Sequence, residues 1–448
     1  MSKTPRRTAM DQAELEEIVG IVLAEARARG VDQAEAAASH DLGLSATVRL
    51  GEVESLEYTN DRGVGITVFS DSKKGSASTS DFGTAALREA VAKACTFATM
   101  TAADECSGLA DAVLMATDAP DLDLAHAWDI ESDDAIRIAT EAEAAARSFD
   151  PRISNSEGAT VSTSIGARAY GNSHGFSGGY RKSSHSISCI VVADTNGDMQ
   201  RDYWYTAARD PSDLEAPEYV GELAAQRTVD RLGARKIRTA NAPVLFTPEV
   251  ARGFIGHAIG AIAGGAQYRR ASFLLEAAGT RVFPEFVQIH ERPHIPKAMA
   301  SRPFDAEGVA TRDRDLVVDG TLEGYILGSY SARRLGLQTT GNAGGAHNLI
   351  VPGNAGDLES LTRSLERGLI VHELIGHGVN VVTGDYSRGA VGYWVEGGEI
   401  AFPVHEVTIA GNLKDLYQRI EAIGADQDLR SGIRCGSLLV DEMTIAGN

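Results

Sequence analysis

The sequence predicts an α/β (α+β) protein, with two N-terminal α/β domains followed by a β-rich C-terminal domain that carries a metal-motif helix. Three observations carry this prediction. Helical and strand-like periodicities alternate up to about residue 240, glycine then becomes frequent between short strand-like runs, and no internal repeat is present. A length of 448 residues with 43% hydrophobic content suits two or three domains with real cores. The expected boundaries are 1–100, 101–240 and 241–448.

Leu15, Ile18, Val19, Val22, Leu23 and Ala26 form one stripe over Asp11–Arg29, and Gly30 follows, which predicts an amphipathic helix with a glycine stop. Alternation over Thr47–Tyr58 and Gly63–Ser70 predicts strands, and Asp71–Gly75 turns the chain into another strand through Phe82. Leu87, Val91, Ala94, Cys95 and Ala98 mark a second helix. Thr101–Asp123, rich in Ala and Asp and interrupted by Pro120, reads as a linker. A helix over about Asp133–Ser148, strands around Thr160–Tyr170 and Ser186–Ala193, and a helix over about Ala216–Leu232 make the second unit. In the third, helices are expected at about Pro248–Gly264 and about Leu358–Ile375 among short strands and glycine turns.

The formal net charge of −20 argues against nucleic-acid binding, because no basic stripe offsets it. The one basic cluster, Lys3–Arg7, reads as a tail. Four cysteines (Cys95, Cys106, Cys189, Cys435) are too few and too irregularly spaced for a disulfide framework. No N-terminal apolar segment and no apolar run of membrane-spanning length occurs, so a soluble, cytoplasmic protein is expected.

The run Val371-His372-Glu373-Leu374-Ile375-Gly376-His377-Gly378 sets two imidazoles and a carboxylate close together. Neutral imidazole is a good zinc ligand, and a glutamate beside a metal-bound water can act as its general base. The spacing is H-E-x-x-x-H, one residue longer than the H-E-x-x-H of zinc proteases. On a regular helix, residues five apart lie about 140° apart around the axis, so both imidazoles share a face only if the helix is distorted, as by a π-bulge at Gly376. The bland alternative is a helix end with two histidines near its C-terminus, where they suit the dipole.

Further strings place the chain more firmly. Thr383-Gly384-Asp385-Tyr386-Ser387-Arg388-Gly389, Trp394-Val395-Glu396, Gly398-Glu399-Ile400, Pro403-Val404, the run Glu406–Asp415, Arg430-Ser431 and Cys435-Gly436-Ser437 resemble the TldD/PmbA family, in its PmbA (TldE) branch. Ser329–Arg333 and the loop Gly341–Asn348 match as well. The resemblance implies zinc metallopeptidase chemistry on an H-E-x-x-x-H helix with a C-terminal cysteine as third ligand. It also implies a TldD-like partner enclosing a proteolytic chamber, and unfolded peptides such as microcin precursors or antitoxins as substrates. PmbA-like subunits often lack the histidine motif, whereas this chain keeps it.

On that resemblance His372, His377 and Cys435 are expected to hold Zn2+, with Glu373 as general base and a fourth position left for water. His347 and His405 are rival ligands, and Cys435 read by itself is a buried small hydrophobe. Asp385, Arg388 and Glu396 are candidate substrate contacts, with a surface Asp385–Arg388 ion pair as the plain alternative. An extended peptide is expected to add as a strand to a sheet edge beside the site. The expected function is zinc-dependent cleavage of extended peptides inside a dimer, formed with a TldD-like subunit or a second copy. A silent partner subunit is the alternative.

Overall fold

The computed structural model describes residues 10–447; the basic cluster Lys3–Arg7 lies outside them. The first helix, α1 (Gln12–Ala28), starts on a capping box in which Asp11 accepts from the Glu14 backbone N–H and Glu14 reaches back to the Asp11 N–H. It buries Leu15, Ile18, Val19, Val22 and Ala26, the stripe visible in the sequence.

Strands β1 (Gln33–Arg49), β2 (Glu52–Ser70) and β3 (Lys73–Thr79) precede helix α2 (Thr84–Met100). After an irregular crossover come α3 (Ser132–Phe149), β4 (Ile153–Asn172), β5 (Ser177–Thr195), β6 (Asp198–Ala208) and α4 (Pro217–Asp230). The two expected N-terminal units share one antiparallel sheet of order β3-β2-β1-β4-β5-β6, because β1 pairs with β4 from Glu35 to Val48. Both helix pairs cover the same face, to which β1 contributes Ala34, Ala36, Ala38, Leu44, Ala46 and Val48. The other face, with Glu35, Ala37, Ser39 and Asp41, is left for the C-terminal domain and solvent.

The strand expected over Thr47–Tyr58 is broken by a hairpin turn at Leu50 (φ 54°) and Gly51 (φ 80°). Leu50 carries no turn signal of its own. The conformation is held from α3, where the buried Glu143 carboxylate accepts both turn N–H groups at 2.6 and 2.8 Å.

The C-terminal domain opens with β7 (Ala240–Phe246), α5 (Pro248–Ala261) and α6 (Gly264–Tyr268). Short strands β8 (Ile289–Glu291), β9 (Arg314–Val318) and β10 (Thr321–Leu322), helix α7 (Ser329–Arg334), strand β11 (Leu349–Ile350) and helix α8 (Leu358–Ser364) follow. Then come β12 (Arg367–Ile375), β13 (Asp385–Glu396), β14 (Glu399–Asn412), α9 (Leu413–Gln418), β15 (Ile420–Ile423), β16 (Ile433–Arg434) and β17 (Leu438–Ala446). One sheet has the order β14-β13-β12-β7-β17-β15, and an added β14–β17 pairing curls it round the main core, into which α5 packs.

The helix expected over about Leu358–Ile375 is therefore corrected: it ends at Ser364, and the motif lies on and just beyond strand β12. The reason is local. Gly368-Leu369-Ile370-Val371 is buried between β7 and β13, and a continuous apolar, β-branched run suits a central strand. The motif strand is not itself a sheet edge. β12 is central, and Arg235 makes a single bridge to β14, its N–H donating to the Pro403 carbonyl and its carbonyl accepting from the His405 N–H. No helix among the described residues is long and apolar enough to cross a membrane.

Candidate metal centre

His372 occupies a bulge in β12, between Val371 paired with Gly392 and Glu373 paired with Val391. Its ring stands edge-on to Tyr393, with centroids 4.9 Å apart. Burial, reinforced by the charges of Arg227 and Arg231, holds its pKa down to about 3, so the imidazole is neutral at pH 7. Neutrality suits a ligand. Two nearby guanidinium groups do not suit a bound dication, since they repel it as they repel a proton.

Glu373 points into an ionic seam between the central and C-terminal domains. Its carboxylate meets Arg231, the C-cap of α4, at 2.8 Å, and the same guanidinium group reaches Asp202 of β6 at 3.3 Å. Arg227 joins Asp202 to Glu249, and Arg430 joins Glu249 to Asp428 while stacking on Trp204 and Tyr205. A carboxylate committed to this seam is not a free base. Sequence reasoning missed the seam because its members are scattered from Asp202 to Arg430 and only the fold gathers them.

Beyond β12 the chain turns at Gly376 (φ 79°), leaving His377 exposed. The turn is fixed by Gly378, whose carbonyl accepts from Ser387 N–H at 2.7 Å and whose Cα faces the Ser387 carbonyl so closely that a Cβ would overlap it. Cys435 is fully buried in the main core, and burial pushes its thiol up to about 12. The described residues contain no group of three or more His, Cys, Asp or Glu side chains that could hold a metal ion. The expected set of His372, His377 and Cys435 with Glu373 is therefore not assembled in this structure. As arranged, these residues do not fit a catalytic zinc.

Asp385, Arg388 and Glu396 are spread along β13. Asp385 accepts from Thr383 Oγ1 at 2.6 Å and Asn412 Nδ2 at 3.2 Å, whereas Arg388 donates to the Leu374 carbonyl at 3.3 Å and so braces the motif strand. Glu396 accepts from Trp394 Nε1 at 3.1 Å. No Asp385–Arg388 ion pair forms among the described residues; a three-residue separation puts the two on opposite faces of the strand.

Of the rival ligands, His405 sits half-buried on β14. His347 is buried against Glu291, which accepts its Nδ1 at 3.1 Å and its backbone N–H at 2.7 Å, together with Asn342 Nδ2 at 2.7 Å and Arg314 Nε at 2.5 Å. Burial would raise the Glu291 pKa, but the His347 hydrogen bond and the Arg314 charge outweigh it and hold it down to about 2. This cluster ties the glycine loop to β8 and β9.

Family models for the PmbA/TldA metallopeptidase match domain 1 at residues 34–98, the central domain at 125–232 and the C-terminal domain at 239–447. Metalloprotease PmbA of Escherichia coli O157:H7 is 49% identical over 433 residues, covering 97% of this chain and 96% of that protein. A PmbA homologue from Haemophilus influenzae is 47% identical over 416 residues, covering 93% and 92%. Among solved structures, a Bacteroides thetaiotaomicron protein described as a candidate modulator of DNA gyrase superposes with a TM-score of 0.93 at 25% identity, covering 98% of this chain and all of that one. TldE of Thermococcus kodakarensis shares the fold, with a TM-score of 0.85 at 20% identity over 96% of this chain and all of that one. Matched over nearly its whole length, the chain belongs to the PmbA/TldD metallopeptidase family, a family of enzymes whose class implies a metal cofactor.

Proposed function

We propose that this chain is a peptidase subunit that acts on unfolded or extended peptides within a dimer chamber, alongside a TldD-like partner or a second copy. Peptide maturation or antitoxin degradation would be its work, and zinc the metal. The observation that carries this reading is the near-full-length match, at 49% identity, to a protein named a metalloprotease. Assembly is supported by the β1–β2 hairpin end, which exposes Leu50, Val53, Leu56 and Tyr58 to solvent. A net charge of −20 supports peptide rather than DNA as substrate.

A second reading is favoured by one observation, the placement of H-E-x-x-x-H on a strand beside two guanidinium groups. In it this subunit shapes the chamber, and the partner carries the hydrolytic metal. In this structure His372 sits in a bulge of β12, His377 is exposed beyond the strand and Cys435 is buried in the core.

The deciding experiment measures metal content by mass spectrometry and cleavage of an internally quenched peptide, for the chain alone and mixed with a TldD-like subunit. About one zinc per chain, lost in His372→Ala, with cleavage by the chain alone, would establish the first reading with its metal at this motif. Metal-free protein that supports cleavage only in the mixture would establish the second.

A further inference from the structure

The N-terminal sheet meets the loop Ser301–Glu307 of the C-terminal domain across a cavity of about 250 Å³. It opens on the sheet face left uncovered by helices, where Ser39, Arg168 and Tyr180 stand in one row across β1, β4 and β5. Arg302, Phe304 and Asp305 form the opposite wall.

The charge balance here runs against that of the chain. Arg168 and Arg302 both line the cavity, and among the described residues neither guanidinium group has a hydrogen-bond or ion-pair partner. Lys182 lies two residues along β5 from Tyr180, on the same face. Its pKa is held below the ordinary lysine value, first by burial and then by the charge of Arg168, with Arg209 and Arg302 adding to the effect and only Asp41 opposing it.

In a protein with a net charge of −20, an exposed and a half-buried guanidinium group lining one cavity, neither with a partner, are a site for an anion. The one lining carboxylate is already committed. Asp305 accepts the backbone N–H groups of Glu307, Val309 and Ala343, each at 2.9 Å.

The walls and the loop narrow the ligand. Tyr180 and Phe304 stand edge to face at 5.9 Å and give the cavity an apolar side. The glycine loop leaves room for the cation: a Cβ on Gly344 (φ 91°) would sit 3.0 Å from Arg302 Nη1. A peptide C-terminus has a planar carboxylate that suits guanidinium forks and a last side chain that suits an apolar wall.

We propose that this cleft binds the C-terminal carboxylate of a peptide, with Arg168 and Arg302 as its charged donors and Tyr180 and Phe304 as the wall for the last side chain. The peptide identity of the ligand rests on the peptidase reading; the anion site rests on the cleft alone.

The test is calorimetric titration of the full chain with N-acetyl-Ala-Ala-Ala-Phe as the free acid and as the carboxamide. The acid should bind about tenfold or more tightly, and Arg168→Gln should remove about that factor while leaving carboxamide binding unchanged. Arg302→Gln is the second variant, read the same way. Equal affinity for acid and carboxamide, or a preference that survives Arg168→Gln, overturns the proposal. Inorganic phosphate that displaces the acid at the acid's own dissociation constant also overturns it, in favour of a small-oxyanion site.

Cleavage of an internally quenched peptide amidated at its C-terminus is measured on the same preparation, with a TldD-like subunit added. Cleavage without any acid preference refutes the cleft and leaves the peptidase reading standing. Acid preference without cleavage supports the cleft and sinks that reading.

Discussion

Replacing Glu373 by Gln separates a clamp from a catalytic base. In the structure Glu373 meets Arg231 at 2.8 Å, and the two side chains are 26% and 10% exposed. Orphaning a buried charge costs about 3–5 kcal/mol. Here the loss should be smaller, about 1–2 kcal/mol, because Arg231 keeps Asp202 at 3.3 Å and Gln still offers an acceptor. For domains of this size that corresponds to a melting point lower by about 3–6 °C in a thermal shift assay. Arg231→Met should remove the same interaction, so the double variant should lose less than the sum, with a coupling of about 1 kcal/mol. A general base predicts something else: cleavage falling about 10²–10⁴-fold in Glu373→Gln with the melting point unchanged and no coupling to Arg231. That pattern would refute the clamp.

Three further outcomes follow from the same geometry. Gly376→Ala should destabilise by about 1 kcal/mol, since φ is +79° there, whereas a helix through the motif would be stabilised by about that much; the sign of the melting shift decides. Glu291 has its folded pKa held to about 2, below its ordinary value of 4.5, so it contributes about 3 kcal/mol that is fully present above pH 4.5 and is lost as pH falls towards 2. Glu291→Gln should therefore lower stability at pH 7 and flatten its acid dependence over that window, and an unchanged acid-unfolding profile would contradict the assignment. Cys435, buried in the core, should resist thiol reagents in the native protein, and Cys435→Ala should leave metal content unchanged while costing about 1 kcal/mol of packing.

The helices were largely legible because their apolar stripes are regular: α1, α2, α3 and α4 fall where the periodicity puts them. Strand limits were harder. β1 begins at Gln33, well before the strand expected from Thr47, and its Ala34, Ala36 and Ala38 are buried in one core with α1 and α2. Its hairpin turn was invisible because a residue from another element, Glu143, stabilises it. A turn supported from a distance leaves no local signature.

The motif illustrates the same point in chemistry. Six residues supply ligand types that suit zinc, but metal binding needs convergence, and secondary structure decides whether they converge. On β12 the imidazole of His372 sits in a bulge facing Tyr393, while His377 lies beyond a left-handed glycine in solvent. The β-branched run Ile370-Val371 and the close approach of Gly392 to the Ile370 carbonyl select the strand, and neither is part of the motif. Electrostatics then works in the same direction. The guanidinium groups that keep His372 neutral by repelling a proton would repel a dication more strongly, because the interaction scales with its charge. The carboxylates of Asp202 and Glu373 hold Arg231 where it is, which keeps its charge near the neutral imidazole of His372.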